Sequence, residues 1–132
     1  KGQLIANRIE PNKKPRSSMS PSFVFNDDKL IGILGSPGGS KIICYVSKVA
    51  FELLFLNADP LSAVVSPHYC SKNKFTELEN NNIDFELEKY LKRKNHTIKY
   101  TNMTSGLNII WKKEKYWHGI ADPRREGFAV GK

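Results

Sequence analysis

The sequence of 132 residues is poor in several features that would define its class. Its two cysteines, Cys44 and Cys70, are too few for a small domain held by several disulfides, and their spacing matches no zinc motif. No run of about 18 uncharged apolar residues is present, so we expect no transmembrane helix. The first residues show neither an initiator methionine nor an apolar leader, which predicts an excised or processed piece without a visible signal peptide.

The chain also has no excess of acidic residues. It contains 21 Lys and Arg residues and 13 Asp and Glu residues, which gives a net charge of +8. Such a positive chain raises nucleic-acid binding as a candidate function. The basic residues are dispersed, however, and do not alternate with aromatic residues as in a single-strand binding surface. We therefore expect solvated basic surfaces and no nucleic-acid partner, and keep a basic binding module as an alternative.

The order of the predicted elements indicates a mixed α/β or α+β architecture, and the length predicts one domain, or a single partial domain, over residues 1–132. Strands are predicted at residues 22–26, 30–34, 75–78, 97–100, 107–112 and 116–121, and helices at 41–57, after 60, and at 84–94. In the last of these helices, Phe85, Leu87 and Leu91 are expected to face inward. The tail after residue 121 is rich in Gly, Arg and Pro, and we expect Arg124 and Arg125 to anchor it.

The helix at 41–57 is the strongest predicted element, because Ile42, Val46 and Val49 begin an apolar stripe with helical spacing. Ser40 is the predicted N-cap, and Cys44 is interpreted as a small buried apolar residue. Tyr45, Phe51 and Phe55 lie off the main stripe in this interpretation. A helix that is apolar almost all round needs cover on more than one side, so we expect further protein against it.

The segment 35–40, Gly-Ser-Pro-Gly-Gly-Ser, lies between a predicted strand and this helix. Consecutive glycines leave backbone amides accessible, and the start of a helix adds unpaired N–H donors with partial positive charge. This combination is typical of an anion or oxyanion site. A tight strand-to-helix turn without a ligand explains the same residues equally well. A Walker loop is excluded, because no Gly-Lys-Ser/Thr follows at the required spacing.

Ser17 and Ser18 form the second candidate, since two adjacent hydroxyls can donate hydrogen bonds to one carboxylate. Taken alone, an ordinary serine-rich loop is the better interpretation. The predicted hairpin 22–34 would return the chain to the same end of a sheet, which would bring the serines close to the glycines. His68, His96 and His118 have no evident carboxylate or cysteine partner at ligand spacing, so we expect no metal site and no catalytic triad.

Three motifs together resemble the C-terminal part of the small subunit of the γ-glutamyltranspeptidase family. They are Asn-Lys-Lys-Pro-Arg-Ser-Ser-Met-Ser-Pro at 12–21, the glycine segment at 35–40, and Ala-Asp-Pro-Arg-Arg-Glu-Gly-Phe-Ala-Val-Gly at 121–131. They occur in the family's order and near its spacing, and a weaker match lies at 63–69. Two positions depart from the pattern: Arg16 replaces an apolar residue, and His68 replaces an arginine.

This resemblance implies an αββα sandwich of the N-terminal-nucleophile hydrolase superfamily, and a precursor that cleaves itself into two subunits. It also implies cleavage of γ-glutamyl amides such as glutathione, with transfer of the γ-glutamyl group to water or to an amino acid or peptide. Ser17 and Ser18 match the pair that holds the substrate α-carboxylate. Gly38 and Gly39 match the pair whose backbone amides form the oxyanion hole. No cofactor is implied.

The family's nucleophile is an N-terminal threonine in a Thr-Thr-His-like segment, and no Thr-Thr pair occurs in these 132 residues. We therefore expect them to be inactive alone, with the large subunit and the missing N-terminal part of the small subunit as partners. A degenerate relative that acts only as an interaction subunit is a further alternative. The family's bacterial members imply a periplasmic or secreted location.

Overall fold

A computed structural model of the chain describes residues 4–80 and 84–131. Within these ranges the chain forms two sheets and three α-helices, so the α+β prediction is confirmed. The elements, in chain order, are β1 (Ser22–Asn26), β2 (Lys29–Gly35), α1 (Ile42–Phe55), α2 (Pro60–Val65), β3 (Tyr69–Ser71), β4 (Thr76–Glu79), α3 (Phe85–Arg93), β5 (Ile98–Thr101), β6 (Asn108–Lys113) and β7 (Tyr116–Ala121).

Four strands form the larger sheet in the order β1-β2-β6-β7, and every neighbouring pair is antiparallel. Both predicted hairpins are confirmed. Each closes through a two-residue turn that contains an acidic residue at positive φ, Asp27 at 50° and Glu114 at 57°. Asp tolerates this backbone conformation better than most residues, which fits its place in the first turn.

Three strands form the smaller sheet in the order β3-β4-β5. The pair β4-β5 is parallel, and α3 connects the two strands. The strand β3 was not predicted, because its three residues Tyr-Cys-Ser are too few to show an alternating pattern. Phe85 does not face inward as expected: its side chain is 73% exposed, while Leu87 and Leu91 are half-buried.

Helix α1 packs one face against the larger sheet and begins after a short 3-10 helix, Gly39–Lys41. Ser40 is not its N-cap: Lys41 occupies that position without a side-chain cap, and Ser40 Oγ accepts a hydrogen bond from Lys72 Nζ. Tyr45 belongs to the buried face and is 1% exposed, because it lies three residues after Ile42 and four before Val49. The opposite face leaves Phe51, Phe55 and other apolar side chains exposed.

The core lies between α1 and the larger sheet. Its buried apolar residues include Leu34, Val46, Val49, Leu107, Ile109 and Trp111. Cys44 is not a free apolar residue, since it forms a disulfide with Cys70 across 26 positions of sequence. This bond joins α1 to β3 and therefore connects the helix layer to the smaller sheet. No helix in residues 4–80 or 84–131 has the length and apolar character needed to cross a membrane.

Candidate functional site

Four chain segments meet at one end of the larger sheet. Ser22 pairs with Leu34, so the residues before β1 and after β2 leave the sheet at the same end. Asn108 pairs with Gly35 and with Ala121, which places the start of β6 and the end of β7 there as well. The prediction that the hairpin returns the chain to one end of a sheet is therefore confirmed.

The segment after β2 turns sharply at two glycines, and we call Gly38 and Gly39 the glycine bend. Their φ angles are 140° and 58°, both in the region that side chains disfavour. The carbonyl of Gly38 accepts a hydrogen bond from the amide of Lys41 at 3.2 Å. Among the described residues, no hydrogen-bond acceptor is bound by the amides of Gly38 and Gly39. Gly38 is half-buried and Gly39 is exposed, and both lie just before the start of α1.

Tyr45 lies directly beneath the glycine bend. A Cβ atom at Gly38 would lie 2.6 Å from Tyr45 Cε2, which is closer than real contacts allow. Gly106 packs tightly against two side chains, since a Cβ atom there would lie 2.8 Å from Pro37 Cγ and 2.7 Å from Arg125 Cδ. Glycine is therefore required at Gly38 for two reasons, its φ and the ring below it.

The glycine bend and the start of α1 are attached to the smaller sheet by polar contacts. Lys41 Nζ lies 3.0 Å from Glu77 Oε2 and 3.3 Å from Thr101 Oγ1. Lys72 Nζ donates to Ser40 Oγ at 2.7 Å. Together with the disulfide one turn along α1, these contacts fix the bend relative to β3, β4 and β5.

The serine pair lies on the segment that enters β1. Ser17 is exposed, and its Oγ accepts a hydrogen bond from the amide of Met19 at 3.1 Å; Ser18 is half-buried. Asn7 braces this segment through two hydrogen bonds of 2.7 Å with the backbone of Arg16. In residues 4–80 and 84–131, no hydrogen bond joins the pair to the glycine bend. Chain direction places both groups at the same end of the sheet, and their joint action stays a prediction.

A buried polar cluster that the sequence did not reveal lies below this end of the sheet. Ser105 Oγ lies 2.8 Å from His68 Nε2 and donates a short hydrogen bond to Asp122 Oδ2. These side chains are separated by 37 and 17 residues in sequence, so no local spacing could identify them. His68 does have a carboxylate nearby, contrary to our expectation, but at 4.0 Å and with Ser105 bridging.

The charge state of this cluster follows from its hydrogen bonds. Asp122 accepts from Ser105 and from the amides of Leu107 and Arg124. Burial opposes the ionised carboxylate, but the nearby His68 ring and the hydrogen bonds from Ser105 and the Arg124 amide outweigh it, and the pKa of Asp122 is lowered. Because the Ser105 proton goes to Asp122, His68 must donate through Nε2–H. Burial also lowers the pKa of His68, so its ring is neutral at pH 7.

Arg124 attaches the C-terminal segment to the rest of the chain. Its guanidinium donates to Glu79, to Asp122 and to the backbone carbonyls of residues 64, 65 and 66. Arg125 Nε donates to the carbonyl of Thr104 at 3.0 Å. The prediction that both arginines anchor the terminal segment is confirmed.

The chemistry available at this end of the sheet is anion stabilisation. Two amides without an intramolecular acceptor at the start of a helix can bind a carboxylate, a phosphate or a developing oxyanion. Within the described residues, no group of three His, Cys, Asp or Glu side chains could hold a metal ion.

Comparison with known proteins identifies relatives over the whole chain. The family model described as gamma-glutamyltranspeptidase matches residues 3–132. A glutathione hydrolase proenzyme from Bacillus subtilis is 28% identical over 130 residues, which cover 96% of this chain and 22% of that protein. Glutathione hydrolase 2 from Arabidopsis thaliana is 48% identical over 62 residues, which cover 47% of this chain and 11% of that protein.

Solved structures show the same fold. A mutant gamma-glutamyltranspeptidase from Helicobacter pylori matches with a TM-score of 0.81 at 30% identity, over 93% of this chain and 69% of that one. The enzyme from Pseudomonas nitroreducens complexed with L-DON matches with a TM-score of 0.82 at 26% identity, over 98% and 70%. The expected N-terminal-nucleophile hydrolase fold is thus confirmed, although the chain spans only about a fifth of the Bacillus relative. The chain belongs to the gamma-glutamyltranspeptidase family.

Proposed function

We propose that this chain supplies the oxyanion hole and the α-carboxylate contacts of a γ-glutamyltranspeptidase. The enzyme would cleave γ-glutamyl amides such as glutathione and transfer the γ-glutamyl group to water or to an amino acid or peptide. The observation that supports this most directly is the glycine bend, whose two amides bind no acceptor in the described part of the chain. They lie where the family's oxyanion residues are expected from the sequence match.

In the proposed mechanism, a threonine hydroxyl attacks the γ-carbonyl carbon and loses its proton to the threonine's own α-amino group. The carbonyl oxygen becomes an oxyanion, and the amides of Gly38 and Gly39 donate hydrogen bonds to it. Collapse breaks the C–N bond while the α-ammonium group returns the proton to the leaving amine, and the γ-glutamyl ester left on the threonine is then attacked by water or an amine. Removal of one such donor typically slows catalysis by about 10²–10³-fold.

The opposite end of the substrate would be held by Ser17 and Ser18, whose hydroxyls can donate to the α-carboxylate. Charge-free hydroxyl donors fix the position of the carboxylate, and a cation from elsewhere in the enzyme would balance its charge. We propose that this cation is an arginine of the large subunit.

The threonine is proposed to belong to the part of the enzyme outside these 132 residues. This chain covers 22% of the Bacillus proenzyme and about 70% of the matching solved chains, so the relatives hold further protein. We therefore propose that residues 1–132 alone are inactive and that their partners are the large subunit and the preceding part of the small subunit.

One surface is suited to this additional protein. Phe23, Ile33 and Ile110 lie side by side on the face of the larger sheet that points away from α1. Phe23 is 63% exposed and Ile110 is 46% exposed, so apolar side chains on this sheet face form a patch open to solvent. We propose that the preceding part of the small subunit packs here as the second sheet of the sandwich.

A periplasmic or secreted location is proposed on family resemblance, and the disulfide between Cys44 and Cys70 supports it. Disulfides persist in oxidising compartments and are rare in the cytosol of mesophiles.

The decisive experiment uses the complete proenzyme and the chromogenic substrate L-γ-glutamyl-p-nitroanilide. We expect the wild type to release p-nitroaniline, and Gly38→Ala to lose most of this activity because of its φ and the contact with Tyr45. Gly35→Ala is the matched control, since a Cβ atom at Gly35 meets nothing within 4 Å. Ser17→Ala combined with Ser18→Ala should raise KM. Wild-type kinetics in Gly38→Ala or in the double serine variant would refute the assigned role.

A degenerate, non-catalytic subunit is the second candidate, and one relative favours it. The protein named putative inactive glutathione hydrolase 4 from Arabidopsis thaliana is 44% identical over 62 residues. If the gene encodes no threonine at the processing position upstream of Lys1, this second function replaces the first.

A further inference from the structure

We infer that Tyr45 and His68 are positioning residues. They hold the Gly38 amide at the distance from the substrate carbonyl that is required to stabilise the oxyanion. This inference rests on the proposed function. It concerns two side chains that are each 1% exposed and that lie in sequence outside the glycine and serine motifs.

The Tyr45 ring packs directly against the glycine bend. Tyr45 is 1% exposed, and its ring fills the space where a side chain at Gly38 would lie. The ring cannot move downward freely, because its hydroxyl contacts Met103 Sδ at 3.6 Å. The bend therefore rests on a fixed aromatic surface and cannot relax toward α1.

The Tyr45 ring in turn contacts the ring of His68. The centroids of the two rings are 4.7 Å apart and their planes are inclined by 45°. His68 is 1% exposed and is itself held by Ser105, which donates to the ionised Asp122. Its backbone amide also donates to Glu79 Oε2 at 2.8 Å. The position of the His68 ring is therefore set by Ser105 at its Nε2 atom and by Glu79 at its backbone amide.

The surroundings of His68 favour its neutral form. Within the described residues its Nδ1 atom is buried and has no hydrogen-bond partner, which a neutral ring tolerates better than an imidazolium with an unpaired N–H. The charged groups around it are Asp122, with Oδ2 4.0 Å from Nε2, and Lys48, Arg124 and Glu79. The neutral ring therefore packs against Tyr45 at neutral pH.

The consequence is an unbroken series of contacts from Asp122 to the oxyanion hole. An oxyanion donor acts only when it lies about 3 Å from the developing charge, and a shift of about 1 Å can cost roughly 10²-fold in rate. Removal of either ring would allow the Gly38 amide to move, and this would weaken transition-state binding more than substrate binding. The predicted signature is a lower kcat with little change in KM.

The test compares Tyr45→Leu, Tyr45→Phe and wild type in the complete, processed enzyme, with L-γ-glutamyl-p-nitroanilide as substrate. Tyr45→Leu should lower kcat by about tenfold to a hundredfold and leave KM within about twofold. Tyr45→Phe keeps the ring and should retain at least about half of kcat. Phe85→Ala, which removes an exposed aromatic ring on α3, should match wild type. Equal kcat in Tyr45→Leu and wild type would overturn the inference.

A second variant keeps the inference falsifiable if Tyr45→Leu does not fold or does not process. His68→Asn retains a donor for Ser105 but withdraws the ring from Tyr45, and it should lower kcat by about threefold to tenfold with KM unchanged. An unchanged kcat, or a rise in KM alone, contradicts the inference. An inactive wild-type proenzyme would refute the proposed function itself, so the two failures are distinguishable.

Discussion

Arg124 forms a two-pronged ion pair with Glu79, with Nε 2.6 Å from Oε1 and Nη2 2.8 Å from Oε2. The side chains are 15% and 6% exposed, so the pair is largely shielded from water. It connects the C-terminal segment to β4, and Glu79 in turn accepts from the amide of His68. The C-terminal segment and the cluster beneath the glycine bend therefore form one structural unit.

We predict that Arg124→Ala destabilises the protein by about 3–5 kcal/mol, because it leaves Glu79 buried without its partner. Thermal unfolding followed by circular dichroism measures the effect. Arg8→Ala is the matched control, since the pair of Arg8 and Glu10 is more exposed and exposed pairs contribute about 0–1 kcal/mol. A melting temperature as high in Arg124→Ala as in Arg8→Ala would contradict the buried role.

The disulfide between Cys44 and Cys70 gives a second prediction. Its loop spans 26 positions, and a cross-link of this length stabilises a folded chain by about 3–4 kcal/mol. Dithiothreitol, or Cys44→Ser with Cys70→Ser, should lower the melting temperature. Thiol titration of the denatured protein should detect no free cysteine before reduction and two after it. Detection of two thiols without a reductant would show that the bond does not form.

The pH dependence of stability follows from His68. Burial lowers the pKa of His68 in the folded state, whereas the pKa of a histidine in the unfolded chain is about 6.5. The unfolded chain therefore binds the proton more readily, and folding stability should fall as the pH drops below about 6.5. Asp122 has a lowered pKa as well, and its stabilising contribution is lost only below about pH 4.

The two pH ranges distinguish the contribution of His68 to stability from that of Asp122. Denaturant unfolding of wild type and His68→Asn should differ in slope against pH between about 6.5 and 4, with the flatter curve in the variant. His118→Asn is the control, because His118 is an exposed residue of β7. Parallel curves for wild type and His68→Asn over this interval would be inconsistent with a buried neutral ring.

The exposed face of the larger sheet gives a fourth prediction. Ile110→Lys places a charge where the rest of the small subunit is proposed to pack, and it should reduce the yield of assembled, processed enzyme severalfold. Tyr90→Lys changes an equally exposed residue on α3 and should assemble normally. Size-exclusion chromatography of the processed enzyme distinguishes these outcomes, and normal assembly of Ile110→Lys would exclude this face as the interface.

The sequence by itself determined most of the regular elements and the local part of the site. Alternating apolar residues identify both hairpins, and helical spacing identifies α1, because these patterns reflect which side of an element is buried. The glycine pair is visible in sequence because the requirement for positive φ depends on the backbone alone. The match of three ordered motifs then indicated the family.

The tertiary structure decided what depends on distance across the chain. The pairing of Cys44 with Cys70, the cluster of His68, Ser105 and Asp122, and the contact of Tyr45 with His68 all join residues that sequence spacing does not relate. Ser40 was misassigned as a cap because its hydroxyl binds Lys72, a residue 32 positions away. Local propensity sets the elements, whereas packing sets which polar groups lose water together, and only the folded chain specifies those partners.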